Sequence, residues 1–146
     1  MRTHVIFKHS ATFVPLSPED CILSVDGADW FVRLLQQIPE LQTDPKIIQE
    51  DWGVVIFARR NGKRFWIGLS SWPDNERMWM AHFHHRSLAW QQWSSSGKRE
   101  LQRLVLEAHE ALSGDPSVAH LAWHFERDMA RVHERGSAHP IERAAL

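Results

Sequence analysis

His82 and His84 are the pair of side chains in this sequence best suited to metal chemistry. They lie in the segment Arg77–His85, which alternates as a β-strand does, so both imidazoles point to one face and His85 points to the other. Two imidazoles make half of a catalytic zinc site, which takes three protein ligands and a water. The candidates for a third ligand are His109, His120, His124 and Glu126. With 10 histidines in the chain, chance neighbours are expected, so solvated or core-edge histidines are the favoured interpretation.

Four basic residues form a second candidate site, for nucleic acid. Arg59, Arg60, Lys63 and Arg64 surround the tip of a predicted hairpin and lie close to Trp66. Basic side chains next to an aromatic ring can hold phosphates and stack on bases. The net charge of −1 argues against this alternative, because nucleic-acid-binding domains are usually basic.

Two further motifs do not support catalysis. The first motif, Ser94-Ser95-Ser96-Gly97-Lys98-Arg99, differs from a phosphate-binding loop at two positions. The position of the leading glycine holds Gln92, and the position of the magnesium-binding hydroxyl holds Arg99. The segment instead predicts the start of a helix. Cys21 is followed by Ile22 and Leu23, which predicts a buried thiol rather than a nucleophile.

The stretch from Glu19 to Asp51 is acidic, with eight carboxylates against Arg33 and Lys46. A solvated face is the simpler interpretation. The alternative is a docking surface for a basic protein partner. The residues assigned to that surface are Asp26, Asp29, Glu40, Asp44 and Glu50.

The composition predicts one globular domain over residues 1–136, with residues 137–146 as a poorly ordered tail. Apolar residues make up 43% and charged residues 24% of the 146. The single cysteine fits a reducing cytoplasm. We expect no membrane segment and no cofactor, and the oligomeric state stays open.

The strongest local signal is a β-hairpin, with Asn61-Gly62 between two strands rich in β-branched and aromatic residues. A two-residue turn pairs Arg60 with Lys63, and this register continues to Val54 with Leu69. Both strand faces are apolar in the middle, which predicts a hairpin inside the sheet.

Other segments complete an α+β fold with an antiparallel sheet of about four to five strands and two main helices. A first strand is predicted from His4 to Phe7, and short extended structure at Ile47-Ile48. One helix is predicted from Gly27 to Ile38, capped by Asp26, and another after Gly97. The segment after Asp115-Pro116 fits strand or helix, and we favour a strand from Val118 to Phe125.

Several motifs together resemble small bacterial proteins, including immunity proteins of polymorphic-toxin and contact-dependent-inhibition systems. They are Glu50-Asp51-Trp52-Gly53, Gly62 with Phe65-Trp66-Ile67-Gly68, Trp79, and Asp115-Pro116 ahead of Trp123. The resemblance implies a non-enzymatic cytoplasmic protein that neutralises a toxin domain by binding it. It transfers no functional residue. The metal-dependent hydrolase or nuclease using His82 and His84 is kept as the alternative, and the nucleic-acid-binding protein as a third.

Overall fold

Six antiparallel strands and two helices make up the described part of the chain. The computed structural model describes residues 1–10, 25–72, 75–86, 95–127 and 136–141. The elements, in chain order, are β1 (His4–His9), α1 (Val25–Leu35), β2 (Gln42–Glu50), β3 (Gly53–Arg60), β4 (Lys63–Trp72), β5 (Asn75–Arg86), α2 (Ser95–Gly114) and β6 (Val118–His124). The strand order in the sheet is β2-β3-β4-β5-β1-β6. β1, the first strand of the chain, therefore lies between β5 and β6, the last two strands. This arrangement brings together residues that are far apart in the sequence.

The predicted hairpin is confirmed, with its register. Asn61 and Gly62 have φ angles of 50° and 71°, as a type I′ turn requires. Arg60 pairs with Lys63 and Val54 with Leu69, and β2 and β5 flank the hairpin on either side. The hairpin is thus interior to the sheet, which explains why both of its faces are apolar.

One face of the sheet, called here the helix face, packs against both helices. On β5 it carries Trp79, Ala81 and Phe83, which are buried with Phe31 of α1 and Leu104 of α2. Side chains alternate along each strand, so the remaining side chains point to the opposite face of the sheet, called here the second face. The second face includes Phe57, Trp66, His82 and His84.

The sheet has six strands rather than four to five. The main difference is β2, of which the sequence indicated only Ile47-Ile48. β2 is an edge strand and mostly exposed, so it lacks an apolar pattern, and Pro45 lies where the pairing shifts between Thr43 and Ile47. Proline is tolerated at such an edge because its missing N–H breaks no ladder.

The other elements lie close to their predicted positions. The strand preferred after Pro116 is confirmed as β6, which pairs with β1. α1 begins at Val25 and ends at Leu35, and a turn in which Ile38 N donates to Leu35 O follows it. The side chain of Asp26, the predicted cap, lies outside the described residues, as does Cys21.

A buried cation joins the hairpin to α2. The Arg60 side chain is fully buried on the helix face, where its Nε donates to Glu100 Oε2 at 3.3 Å and its Nη1 contacts Glu107 Oε2. It also donates to the backbone oxygen of Glu100 at 3.3 Å. Glu107 in turn accepts from the exposed Arg103 at 2.9 Å. These contacts fix α2 over the end of the hairpin.

Residues near the C-terminal end that the sequence assigned to a tail make backbone contacts. Ser137 pairs with Trp123, and Arg2 N donates to Pro140 O at 2.9 Å. None of the helices described is long and apolar enough to cross a membrane.

Candidate metal centre

Three histidines come together on the second face of the sheet. His4 of β1 pairs in register with His82 of β5, and His84 lies two residues further along β5. One imidazole nitrogen from each residue lies within 4.8 Å of the other two. We call these three residues the histidine cluster. It joins strands that are adjacent in the sheet although 65 residues, 10–74, separate them in the sequence.

The rings of the cluster form a nearly equilateral triangle. Their centroids are 5.4 Å apart for His4 and His82, 5.7 Å for His4 and His84, and 5.3 Å for His82 and His84. Zinc–nitrogen bonds of about 2.0–2.1 Å place two tetrahedral ligands roughly 3.4 Å apart. Small side-chain rotations therefore suffice to close the site around one ion, while the hydrogen-bonded strands stay in place.

Two tryptophans form the walls of the cluster. Trp66 stacks on His84 with the centroids 4.2 Å apart and the planes 6° from parallel. Trp52, which is 38% exposed, meets His82 edge to face at 5.1 Å. These apolar walls reduce the access of water to the imidazoles and limit their rotation. An apolar shell of this kind tunes the affinity and chemistry of a bound metal.

Gly68 of β4 provides the space for His82. A Cβ atom built at position 68 would overlap Nε2 of His82, so only glycine leaves room for the imidazole there. A glycine inside a strand often marks either close packing or a bulge. The structure identifies the group that approaches it, which is a side chain of the cluster.

The hydrogen-bonding state of the imidazoles favours an additional ligand. Nε2 of His82 and Nε2 of His84 are buried and have no hydrogen-bond partner among the described residues. Buried polar atoms of this kind are uncommon, and a bound ion or water is one explanation. Nδ1 of His4 lies 3.2 Å from Thr3 Oγ1, a contact that suits the tautomer with Nε2 available to a metal.

Electrostatics keep the cluster neutral. Burial, with the neighbouring His84 and His124, lowers the pKa of His4 to about 4, against the opposing charge of Glu126. Burial, with His84 and His4, lowers the pKa of His82 to about 3. Burial also lowers the pKa of His84, and Glu126 opposes this. Neutral imidazole is the form that binds metal.

The stability of the metal-free protein is expected to fall below neutral pH. Unfolded His4 and His82 take up a proton near pH 6.5, whereas the folded forms do so only near pH 4 and 3. Acid therefore favours the unfolded state, at about 1.4 kcal/mol per pH unit for each residue between these limits. Urea unfolding of chelator-treated protein at pH 7.5, 6 and 5 measures this slope. His4→Asn/His82→Asn should flatten it, and an unchanged slope would contradict these pKa values.

The predicted third ligands occupy different places. His124 pairs with His4 across β1 and β6, and Glu126 is exposed just beyond β6, where its charge acts on His4 and His84. His109 lies on α2, where its Nδ1 accepts from Trp123 Nε1 at 3.2 Å. His120 is exposed, with φ at 55°. The third member of the cluster is instead His4, which sequence reasoning missed because the pairing of β1 with β5 leaves no local signal.

The basic residues at the hairpin tip divide between the two faces. Arg59 and Arg64 form a cross-strand pair on the second face, and Arg86 of β5 lies next to Arg64 in the same row. Arg60 and Lys63 form the pair on the helix face, where Arg60 binds Glu100 and Glu107. The structure thus places only two of the four predicted residues together and adds Arg86.

The acidic residues spread over α1, the turn after it and both ends of β2. Asp29, Glu40, Asp44 and Glu50 are exposed, and the side chain of Asp26 is not described. Asp44 and Glu50 are six residues apart on β2, which corresponds to about 20 Å along a strand. Asp44 Oδ1 accepts from the backbone N of Lys46 at 2.9 Å.

A serine, a histidine and a carboxylate also meet at the turn before β6, but their order differs from that of a catalytic triad. Ser117 Oγ donates to Asp115 Oδ1, and it lies 2.8 Å from Nε2 of His9. In a catalytic triad the histidine lies between serine and carboxylate and removes the serine proton. Here serine lies between the other two. Trp30 Nε1 donates to the same carboxylate at 3.2 Å, so the group ties the turn to α1 and β1.

No protein-family model matches this chain, and no curated protein and no solved structure matches it. The resemblance to immunity proteins, the toxin-domain partner and the cytoplasmic location therefore stay predictions.

Proposed function

We propose that this protein is a metal-dependent hydrolase whose His4, His82 and His84 bind a divalent ion of the zinc type. The observation that carries the proposal is the convergence of three imidazole nitrogens within 4.8 Å of one another. Three protein ligands leave the fourth position of a tetrahedral ion for water, as catalytic zinc sites require. Nε2 of His84, which is buried and has no hydrogen-bond partner among the described residues, supports the same assignment.

A cleft beside the cluster supplies room for a substrate. It has a volume of about 550 Å³, and His84 is the one member of the cluster in its lining, which also includes Thr3, Glu126 and, from the helix face, Phe83 and His85. Glu126 is the carboxylate whose charge acts on His4 and His84, and we assign it the role of proton acceptor on that ground. Lys98 of α2 lines the same cleft and adds a positive charge.

Hydrolysis of an ester at such a site needs only water and Glu126 to account for the proton that is transferred. A zinc-type ion held by His4, His82 and His84 would lower the pKa of a water molecule, and Glu126 would accept the proton released. The water oxygen so activated would attack the electrophilic atom of an ester, as the bond from that atom to the leaving oxygen breaks. Glu126 would then give the proton to the leaving oxygen and regain its carboxylate form.

The test is calorimetric zinc titration of chelator-treated protein, followed by hydrolysis assays with chromogenic carboxylic and phosphoric esters. Wild type should bind one zinc ion and acquire ester hydrolysis when zinc is added. His82→Asn and His84→Asn should each lower zinc affinity by about 100-fold or more, because each removes a ligand. Glu126→Gln should keep zinc binding and lose turnover.

His120→Asn is the matched control, since it removes an exposed histidine on β6 that is not part of the cluster. Its zinc affinity should equal that of wild type. Zinc binding that survives in both His82→Asn and His84→Asn would overturn the site. Stoichiometric zinc with no turnover on any ester would overturn the hydrolytic role.

A further inference from the structure

Three arginines line a second cleft on the same face of the sheet. Arg59, Arg64 and Arg86 occupy one cross-strand row over β3, β4 and β5. The cleft has a volume of about 400 Å³, and β2 closes one side of it with Gln42 and Asp44. We call it the arginine cleft.

Neutral groups hold two of these guanidinium groups. Arg59 Nε donates to Gln42 Oε1 at 3.0 Å. The guanidinium carbon of Arg86 lies 5.4 Å from the centre of the Phe57 ring, in a cation–π contact. In the part of the chain that the structure describes, none of the three arginines has a carboxylate within ion-pair distance, in contrast to Arg60 and Arg103. Three positive charges thus share one cleft, with Asp44 as the one acidic residue in its lining.

Such a row is unfavourable in itself, although the three side chains are exposed and water screens part of the repulsion. Like charges directly opposite each other on neighbouring strands are destabilising. Arg60, at the same end of the sheet, forms ion pairs with two glutamates, so carboxylates can be placed against arginines there. An arrangement that keeps several guanidinium groups together and orients them through neutral contacts is typical of a site for an anion.

The arginine cleft lies next to the histidine cluster. Arg86 and His84 are two residues apart on β5, and Arg64 and Trp66 are two residues apart on β4. Two residues of a strand span about 7 Å, and both side chains of each pair point to the same face. Phe57 lines the cleft and pairs with Trp66, which itself stacks on His84. An extended ligand of modest size therefore reaches both sites.

We propose that Arg59, Arg64 and Arg86 bind a phosphate group of the substrate, which makes that substrate a phosphoester with a phosphate beside the bond that is cleaved. Guanidinium groups match phosphate oxygens with paired hydrogen bonds, and several of them together suit a doubly charged group better than a single carboxylate. The assignment of this anion as substrate rests on the proposed function, whereas binding of the anion does not.

The test measures binding of inorganic pyrophosphate and of a short single-stranded oligonucleotide by chelator-treated protein, so that no metal contributes. Wild type should bind a phosphate-bearing probe, and Arg64→Gln/Arg86→Gln should weaken that binding by about tenfold or more. Arg33→Gln removes an exposed arginine of α1 and should leave binding unchanged. Preference for the oligonucleotide, with strong salt dependence, identifies a polynucleotide substrate, and preference for pyrophosphate identifies a small phosphoester.

Zinc titration of the same variants separates this inference from the proposed function. Arg64→Gln/Arg86→Gln should retain wild-type zinc affinity, because neither residue belongs to the histidine cluster. Equal probe binding by wild type and the double variant, or no binding by either, would overturn the phosphate site whatever the zinc result. Probe binding that depends on the arginines in a protein without zinc affinity would support the phosphate site and overturn the metal centre.

Discussion

Replacing Gly68 by alanine is expected to displace His82 from the histidine cluster and to weaken zinc binding by about 100-fold or more. The added Cβ would overlap Nε2 of His82, and the backbone of β4 is held between β3 and β5. The imidazole is the group free to move, so it must leave the position where it meets His4 and His84. Calorimetric zinc titration of Gly68→Ala measures the effect.

A double-mutant cycle isolates the cause of this effect. Gly68→Ala alone should cost stability, since overpacking typically costs about 1–3 kcal/mol. In a His82→Ala background, where the ring is absent, the same substitution should cost much less. Gly114→Ala is the control, because a Cβ there meets nothing within 4 Å. An equal cost of Gly68→Ala in both backgrounds would show that the imidazole is not what fills the space.

Replacing Arg60 by methionine is expected to give the largest loss of stability of any single change proposed here. Its side chain is fully buried, while Glu100 and Glu107 are 22% and 19% exposed. Removing one partner of a buried ion pair typically costs about 3–5 kcal/mol, because the remaining charge has no compensation. Water can reach the two glutamates in part, so we expect about 3 kcal/mol by urea unfolding.

Two comparisons test whether the uncompensated carboxylates cause this loss. Arg60→Met/Glu100→Gln/Glu107→Gln should recover much of the stability, because no charge is left unpaired at the site. Arg103→Met removes the exposed partner of Glu107 and should have a far smaller effect. If the triple variant is less stable than Arg60→Met, the cost of removing Arg60 lies in lost packing rather than in charge.

Local sequence signals determined the hairpin and the strand that carries two histidines. Asn61-Gly62 requires positive φ angles at both residues, and this one turn sets every pair from Arg60–Lys63 to Val54–Leu69. Alternation along β5 likewise determined that His82 and His84 share a face. Both inferences depend on residues close together in the chain, so no knowledge of the tertiary structure was needed.

The edge strand and the complete histidine cluster required the tertiary structure. β2 carries no apolar alternation because it is mostly exposed, with no fully buried residue, so its pairing with β3 is invisible in its own sequence. Strand register places Arg86 beside Arg64, whereas Arg60 lies on the opposite face, where it binds Glu100. Residue type alone does not encode either placement.

Sequence alone established an α+β protein with a central hairpin, a pair of histidines on one strand face and a cluster of basic residues at one turn. Tertiary structure decided which of these residues meet. His4 enters the cluster because β1 inserts between β5 and β6, which pairs β1 with a strand separated from it by 65 residues of the chain. Burial of one face of the sheet against two helices, rather than any local motif, determines such long-range pairing.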